Sequence, residues 1–142
     1  MTTKLSKRLT EAVDALPLFN GIRVLEIGCG PGAAAREVSK RIGSGHILAI
    51  DRSAKAIQQA IAGSQNEITS KRLSFRQVAI EDFVLANGEE PFHIAFAIRV
   101  GALDGRHPEI EARALSKIAK ALTKNGKLYI DGGTPLKEVT LP

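Results

Sequence analysis

The chain has 142 residues, 44% hydrophobic and 25% charged, with a formal net charge of +5. That length supports one domain around a single sizeable core, with no room for a second substrate domain. A single cysteine excludes an internal disulfide or a multi-cysteine metal site, and no apolar run reaches the about 18 residues of a membrane span. The N-terminal stretch 1–16 carries basic residues without an apolar segment behind them, so it does not read as a secretory signal, and we expect a cytoplasmic protein with no membrane partner. The positive charge is scattered and aromatics are only 4%, so it reads as a solvated surface, not a base-stacking platform.

The first element is an amphipathic helix: Leu5, Leu9, Val13 and Leu16 recur at helical spacing before PLFNG (17–21) closes it. IRVLEI (22–27) follows as a strand apolar enough to be covered on both faces. Residues 33–42 form a helix closed by the Gly-Ser-Gly of 43–45, and HILAI (46–50) is a second apolar strand with Asp51 at its end. Ser53 suits the N-cap of a helix over AKAIQQAIA (54–62), and Gly63 breaks that pattern. In RLSFRQV (72–78), Leu73 and Phe75 alternate with Ser74 and Arg76, the pattern of a half-exposed edge strand. FHIAFAI (92–98) is apolar throughout, as a central strand would be. Pro108 fits the first turn of a helix with Glu109 and Glu111 near its positive end and Lys117, Lys120 and Lys124 toward its negative end. Ile110, Ala114, Ile118 and Leu122 share one face of it, Asn125-Gly126 closes it, and KLYID (127–131) is a fifth strand.

Strands alternating with helices pair in parallel through right-handed crossovers, which predicts an α/β fold: a doubly wound parallel sheet in three α/β/α layers. Burial places strands one, two and four centrally and strand three at an edge, so the expected order is 3-2-1-4-5. The ligand crevice then lies where strands one and four diverge, at their carboxyl ends. We expect one domain over 1–142: an N-terminal helix in 1–20, a core over 21–131 and a tail over 132–142.

At that crevice VLEIGCGPG (24–32) surrenders its side chains at one corner. Gly28, Gly30 and Gly32 allow a tight loop that brings backbone amides to a ligand, and the helix start near Ala33 favours a carboxylate or phosphate. Asp51 can accept from both hydroxyls of a ribose, the logic of an adenosine-containing cofactor. Gly28-x-Gly30-x-x-Ala33 also fits the dinucleotide fingerprint, so an NAD(P)-binding oxidoreductase domain is an alternative. Glu26 tips the balance: a carboxylate there repels a pyrophosphate and attracts the ammonium of S-adenosylmethionine.

These residues carry a family resemblance. VLEIGCGPG resembles the first motif of class I S-adenosylmethionine-dependent methyltransferases, an acid-x-Gly-x-Gly-x-Gly loop. ILAIDRS (47–53) is similar to their second motif, and LTKNGKLYI (122–130) resembles the segment leading into their strand five; the likeness covers residues 20–131. It implies S-adenosyl-L-methionine as cofactor and methyl transfer by in-line displacement. Glu26 would face the methionine amino group, Gly28, Gly30 and Gly32 would line the methionyl part, and Asp51, with Arg52 beside it, would hold the ribose. Cys29 belongs to the same expected cofactor-binding loop, as a small residue packed at a variable position of the turn. Many relatives follow strand three with an aspartate for the adenine amino group; here Ala79 stands there, Ile80 supplies the adjacent amide, and Glu81 or Asp82 would take over the amino contact.

Arg99 directly follows strand four, at the crevice mouth, facing either the acceptor or the cofactor carboxylate. Asp104, Arg106 and His107 lie in the loop beyond it; Arg99 and His107 are the candidate catalytic residues, His107 as a general base. His46 and His93 begin strands at the far end and receive no role. No triad or metal cluster is apparent, in keeping with a cofactor that carries the hard chemistry. A cofactor-binding module without transfer activity, working as a partner subunit, is a further alternative. Family members usually follow strand five with a helix and an antiparallel hairpin; residues 132–142 are too few, so that hairpin is expected missing or reduced. KEVTL (137–141) is expected to add a short strand to its own sheet or a partner's, and a homodimer to form through the strand-five edge. A small-molecule acceptor is favoured over nucleic acid or protein.

Overall fold

The computed structural model describes residues 5–142. Its helices and strands run α1 (Lys7–Ala15), β1 (Arg23–Ile27), α2 (Ala33–Ser39), β2 (His46–Asp51), α3 (Ala54–Ala62), α4 (Gln65–Thr69), β3 (Leu73–Gln77), β4 (Phe92–Ala97), α5 (Pro108–Ala121), β5 (Leu122–Asp131) and β6 (Leu136–Val139). Single 3-10 turns occupy Ile80–Asp82 and Gly101–Leu103. The strands form one sheet in the order β3-β2-β1-β4-β5-β6. All neighbours are parallel except β5 and β6, which are antiparallel.

The apolar runs work as their composition requires. Successive residues of a strand point to opposite faces, so a run with no polar positions must be covered on both. Val24, Ile47, Ala49, Leu73, Ile94 and Phe96 join Val13 of α1 and Val38 of α2 in one core. Leu25, Ile27, Leu48, Ile50, Ala95 and Leu128 join Phe83 and Ile118 of α5 in the other. Glu26 shares the face of Val24, so its carboxylate lies on the side that carries α1 and α2.

Caps set the helix starts. Ser6 accepts from the Leu9 amide at 3.1 Å to open α1, and Ser53 accepts from Ala56 at 3.1 Å to open α3. Pro108 sits in the first turn of α5, where its missing N–H costs nothing.

Several boundaries differ from the sequence reading. The short helix α4 follows Gly63, a stretch the periodicity left open. The second helix stops at Ser39 and not at 42. The last helix ends at Ala121: Leu122 turns extended, with φ −97° and ψ 156°, and pairs with Phe92. The fifth strand therefore starts at Leu122, and its register slips between Phe92 and Ile94. Polar Thr123, Lys124 and Asn125 occupy this slip. A Cβ on Gly126 would lie 2.7 Å from the Leu122 Cβ, so the Asn-Gly pair serves a tight bulge instead of capping a helix.

The tail takes the first of its two expected places, as a short strand in the chain's own sheet. Leu136–Val139 pairs with Leu128–Asp131 of the chain's own β5. The strand-five edge through which a homodimer was expected is therefore occupied by β6. The new outer edge carries Lys137 and Glu138, and Glu138 pairs with Lys127 at 3.4 Å; charges of this kind discourage edge-to-edge pairing.

Candidate cofactor site

The corner between β1 and α2 is built from positive φ angles: +72° at Gly28, +53° at Gly30 and +91° at Gly32. A Cβ on Gly32 would lie 3.0 Å from the Arg36 Nη1, 3.1 Å from the Phe75 Cζ and 3.3 Å from the Ala60 Cβ. One on Gly28 would lie 2.7 Å from a Val100 methyl. Backbone conformation and close packing thus both demand glycine here.

The loop is tied down from two sides. The amides of Gly28 and Cys29 both donate to the Ile50 carbonyl, at 2.8 and 3.0 Å. Asp51 Oδ2 accepts from the Gly30 amide at 2.9 Å, while Oδ1 accepts from the Ser53 amide at 2.9 Å. Asp51 thus welds the glycine loop to the start of α3 before any ligand is considered. A carboxylate has about four acceptor sites, so each oxygen retains capacity for a ribose hydroxyl.

Beneath the loop lies a buried polar group that the sequence reading missed. Arg36 of α2 is 7% exposed and donates from Nη1 to the Pro31 carbonyl at 2.9 Å and to the Ser64 hydroxyl at 2.9 Å. Ser64 is fully buried. An arginine in an otherwise amphipathic helix reads as solvent-facing; the only sequence signal was the flanking Ala33, Ala34 and Ala35, whose small side chains let α2 pack close enough to bury it.

Glu26 is 4% exposed, and its Oε1 is buried without a hydrogen-bond partner among the described residues. Burial, reinforced by the Asp51 charge and opposed by Arg36, pushes its carboxyl up to about 8. Burial also raises the Cys29 thiol, helped by the Glu26 and Asp51 charges, which keeps it protonated and fits the packed role.

In front of the corner opens a cavity of about 580 Å³ lined by Gly28, Asp51 and Arg52 on one wall and by Ile80 and Glu81 on another. Arg99 and His107 close it from the β4 side. Glu26, Cys29, Gly30 and Gly32 do not line it; they form the loop and its floor. Asp82 is a correction: it is exposed and accepts from Arg113 of α5 at 2.6 Å, outside the cavity. The 3-10 turn over Ile80–Asp82 buries Ile80 and sends successive side chains in different directions, leaving Glu81 as the acid at the cavity wall. At the opposite end of the sheet His93 Nδ1 accepts from the Arg23 amide at 2.9 Å, and His46 bonds Ser74 and the Lys71 carbonyl, both at 2.8 Å, so these histidines are structural.

A family model described as a methyltransferase domain matches residues 18–139. The chain belongs to this methyltransferase family. Solved structures share its fold. The YcgJ protein of Bacillus subtilis superposes with a TM-score of 0.70 at 20% identity, covering 87% of this chain and 49% of that one. The [4+2]-cyclase SpnF gives 0.69 at 27% identity over 87% of this chain and 43% of its own. A S-adenosylmethionine-dependent methyltransferase from Thiobacillus denitrificans, in complex with S-adenosyl-L-homocysteine, gives 0.68 at 19% identity over 92% and 50%. The chain thus spans about half the length of these structures. No curated protein matches it. The cofactor expected from the sequence, S-adenosylmethionine, stands with the methyltransferase family and fold. Among the described residues no helix is long and apolar enough to cross a membrane.

Proposed function

We propose that this methyltransferase domain transfers the methyl group of S-adenosylmethionine to a small acceptor by in-line displacement. The single observation that carries the reading is Glu26: a buried carboxylate oxygen without a protein partner, at the glycine corner of a methyltransferase fold. A buried acceptor left unpaired is costly, and a ligand ammonium relieves that cost. A pyrophosphate offers that oxygen no donor and would oppose ionisation of the carboxyl, which argues against the dinucleotide alternative.

The remaining residues divide the ligand among them. The bare backbone of the Gly28–Gly32 corner lets the amino-acid end come close, its amides being already spent on Ile50, Asp51 and Cys29; Asp51 takes the ribose hydroxyls on its spare lone pairs, and Ile80 and Glu81 meet the base. When bound, the cofactor supplies a methyl group on an electrophilic sulfonium, so the protein's task is alignment. His107, on the wall of the same cavity, is the group available to take a proton from an acceptor that carries one.

A second reading keeps the cofactor site and drops the transfer; it is favoured by the likeness in fold to SpnF, a [4+2]-cyclase. Two measurements separate the readings. Calorimetric titration with S-adenosylhomocysteine should give saturable binding that Asp51→Ala weakens. Labelled methyl transfer into fractionated cell extract should be seen with wild type and not with Asp51→Ala. Binding without transfer into any fraction favours the module, and absence of binding at millimolar ligand overturns both.

A further inference from the structure

Two further cavities open at the carboxyl end of the sheet, and only one adjoins the cofactor cavity. The larger, about 810 Å³, lies between α1 and the turn joining β5 to β6 and shares no residue with the cofactor cavity. The smaller, about 490 Å³, lies among the ends of β4, β5 and β6 and shares Arg99 and Val100 with it. A methyl acceptor must reach the cofactor, so the smaller cavity is the one placed to hold it. Its volume suits a small molecule.

Its charges can be sorted by what already neutralises them. Six charged residues line it: Arg8, Arg99, Asp104, Glu111, Asp131 and Lys137. Arg8 and Asp131 pair at 2.7 Å, and Asp104 pairs with Arg106 at 2.6 Å. Among the described residues the side chains of Arg99, Lys137 and Glu111 have no partner, which leaves two cations against one acid.

Arg99 also holds an unusual backbone. Its φ is +59°, in the left-handed region that long side chains rarely adopt, and its amide donates to Asp131 Oδ1 at 3.2 Å. Strain of this kind persists where surrounding structure over-determines it, and functional sites are where it collects. Asp131 thus fixes the backbone of Arg99 while Arg8 neutralises its charge, so the guanidinium is not drawn into a local ion pair.

We infer that the methyl acceptor is a small anion whose carboxylate or phosphate group is held in this cavity by Arg99 and Lys137. The planar guanidinium suits bidentate contact with either oxyanion, and the lysine adds a point charge from β6. The inference rests on the methyltransferase reading for the word acceptor, but the anion site is measurable without it.

The test is an amide and side-chain NMR titration of the protein, free and loaded with S-adenosylhomocysteine, using succinate, methyl phosphate and putrescine as separate probes. Succinate or methyl phosphate should give saturable shifts centred on Arg99, Gly132 and Lys137, and which of the two binds tighter distinguishes carboxylate from phosphate. Lys137→Met should weaken that binding about tenfold and leave S-adenosylhomocysteine affinity unchanged, and Arg99→Gln should abolish it. Saturation by putrescine instead, the absence of saturable shifts with either anion, or anion shifts that survive both substitutions would overturn the proposal. If S-adenosylhomocysteine itself fails to bind, the methyltransferase reading falls while the titration of the free protein still decides the anion site.

Discussion

The corner after β1 and the outer ends of β4 to β6 open on the same edge of one sheet, yet they hold their charges in opposite ways. At the corner, Glu26 and Arg36 are buried, and Arg36 is fastened to Pro31 and Ser64. At the outer ends, Arg99, Arg106, His107 and Lys137 are exposed, and the Arg8–Asp131 pair is half in solvent, with side chains 50% and 26% exposed. Buried charges act at short range through fixed geometry; exposed ones are screened and adaptable. The comparison teaches that the corner is held rigid before any ligand arrives, whereas the outer ends keep their charges adaptable, as the proposed acceptor site requires.

The sharpest way to break that contrast is Gly32→Ala. A methyl group there meets three neighbours at 3.0 to 3.3 Å on a backbone with φ +91°, so we expect a loss of about 3 kcal/mol in urea unfolding together with the loss of S-adenosylhomocysteine binding. Unaltered stability would mean the corner is not rigid. Next comes Arg36→Met, which leaves the Ser64 hydroxyl and Pro31 carbonyl unpaired and removes the positive charge opposing the raised Glu26 carboxyl. A destabilisation of about 2 kcal/mol is expected, with ligand binding shifted to higher pH; an unshifted pH profile would show that Arg36 only packs. The smallest effect belongs to the outer region. Arg8→Met breaks a partly exposed ion pair and should cost less than about 1 kcal/mol in the same assay. A larger loss would show that the outer ends are as preorganised as the corner.

Much of the corner was legible because its residues have few other uses. Glycines at positive φ, an acid before them and a carboxylate closing the second strand narrow the options to a nucleoside cofactor, and the structure ties Asp51 to Gly30 directly. The strand order was legible for a similar reason: unbroken apolar runs require cover on both faces. Failures came where one residue type serves two environments. Leu122 continues the apolar face of α5 yet becomes a strand residue, because pairing with Phe92 buries it equally well. Asp82 and Glu81 are equivalent in sequence, and only the 3-10 turn separates the one that reaches Arg113 from the one that lines the cavity. Arg36 was hidden because burial of a charge depends on partners such as Ser64, 28 positions away.

The measurement that tests the central claim is the affinity for S-adenosylhomocysteine between pH 6 and 8, for wild type and Glu26→Gln. With the Glu26 carboxyl at about 8 in the free protein, binding an ammonium below that pH must expel a proton. Wild-type affinity should therefore rise about tenfold per pH unit toward pH 8 and level off beyond it. Glu26→Gln should bind weakly at every pH with no such slope. It should also be the more stable free protein at pH 8, because a carboxyl raised by folding from 4.5 to about 8 withdraws stability as pH climbs through that window. A flat wild-type profile, or a glutamine variant that binds as tightly as wild type, would contradict the account.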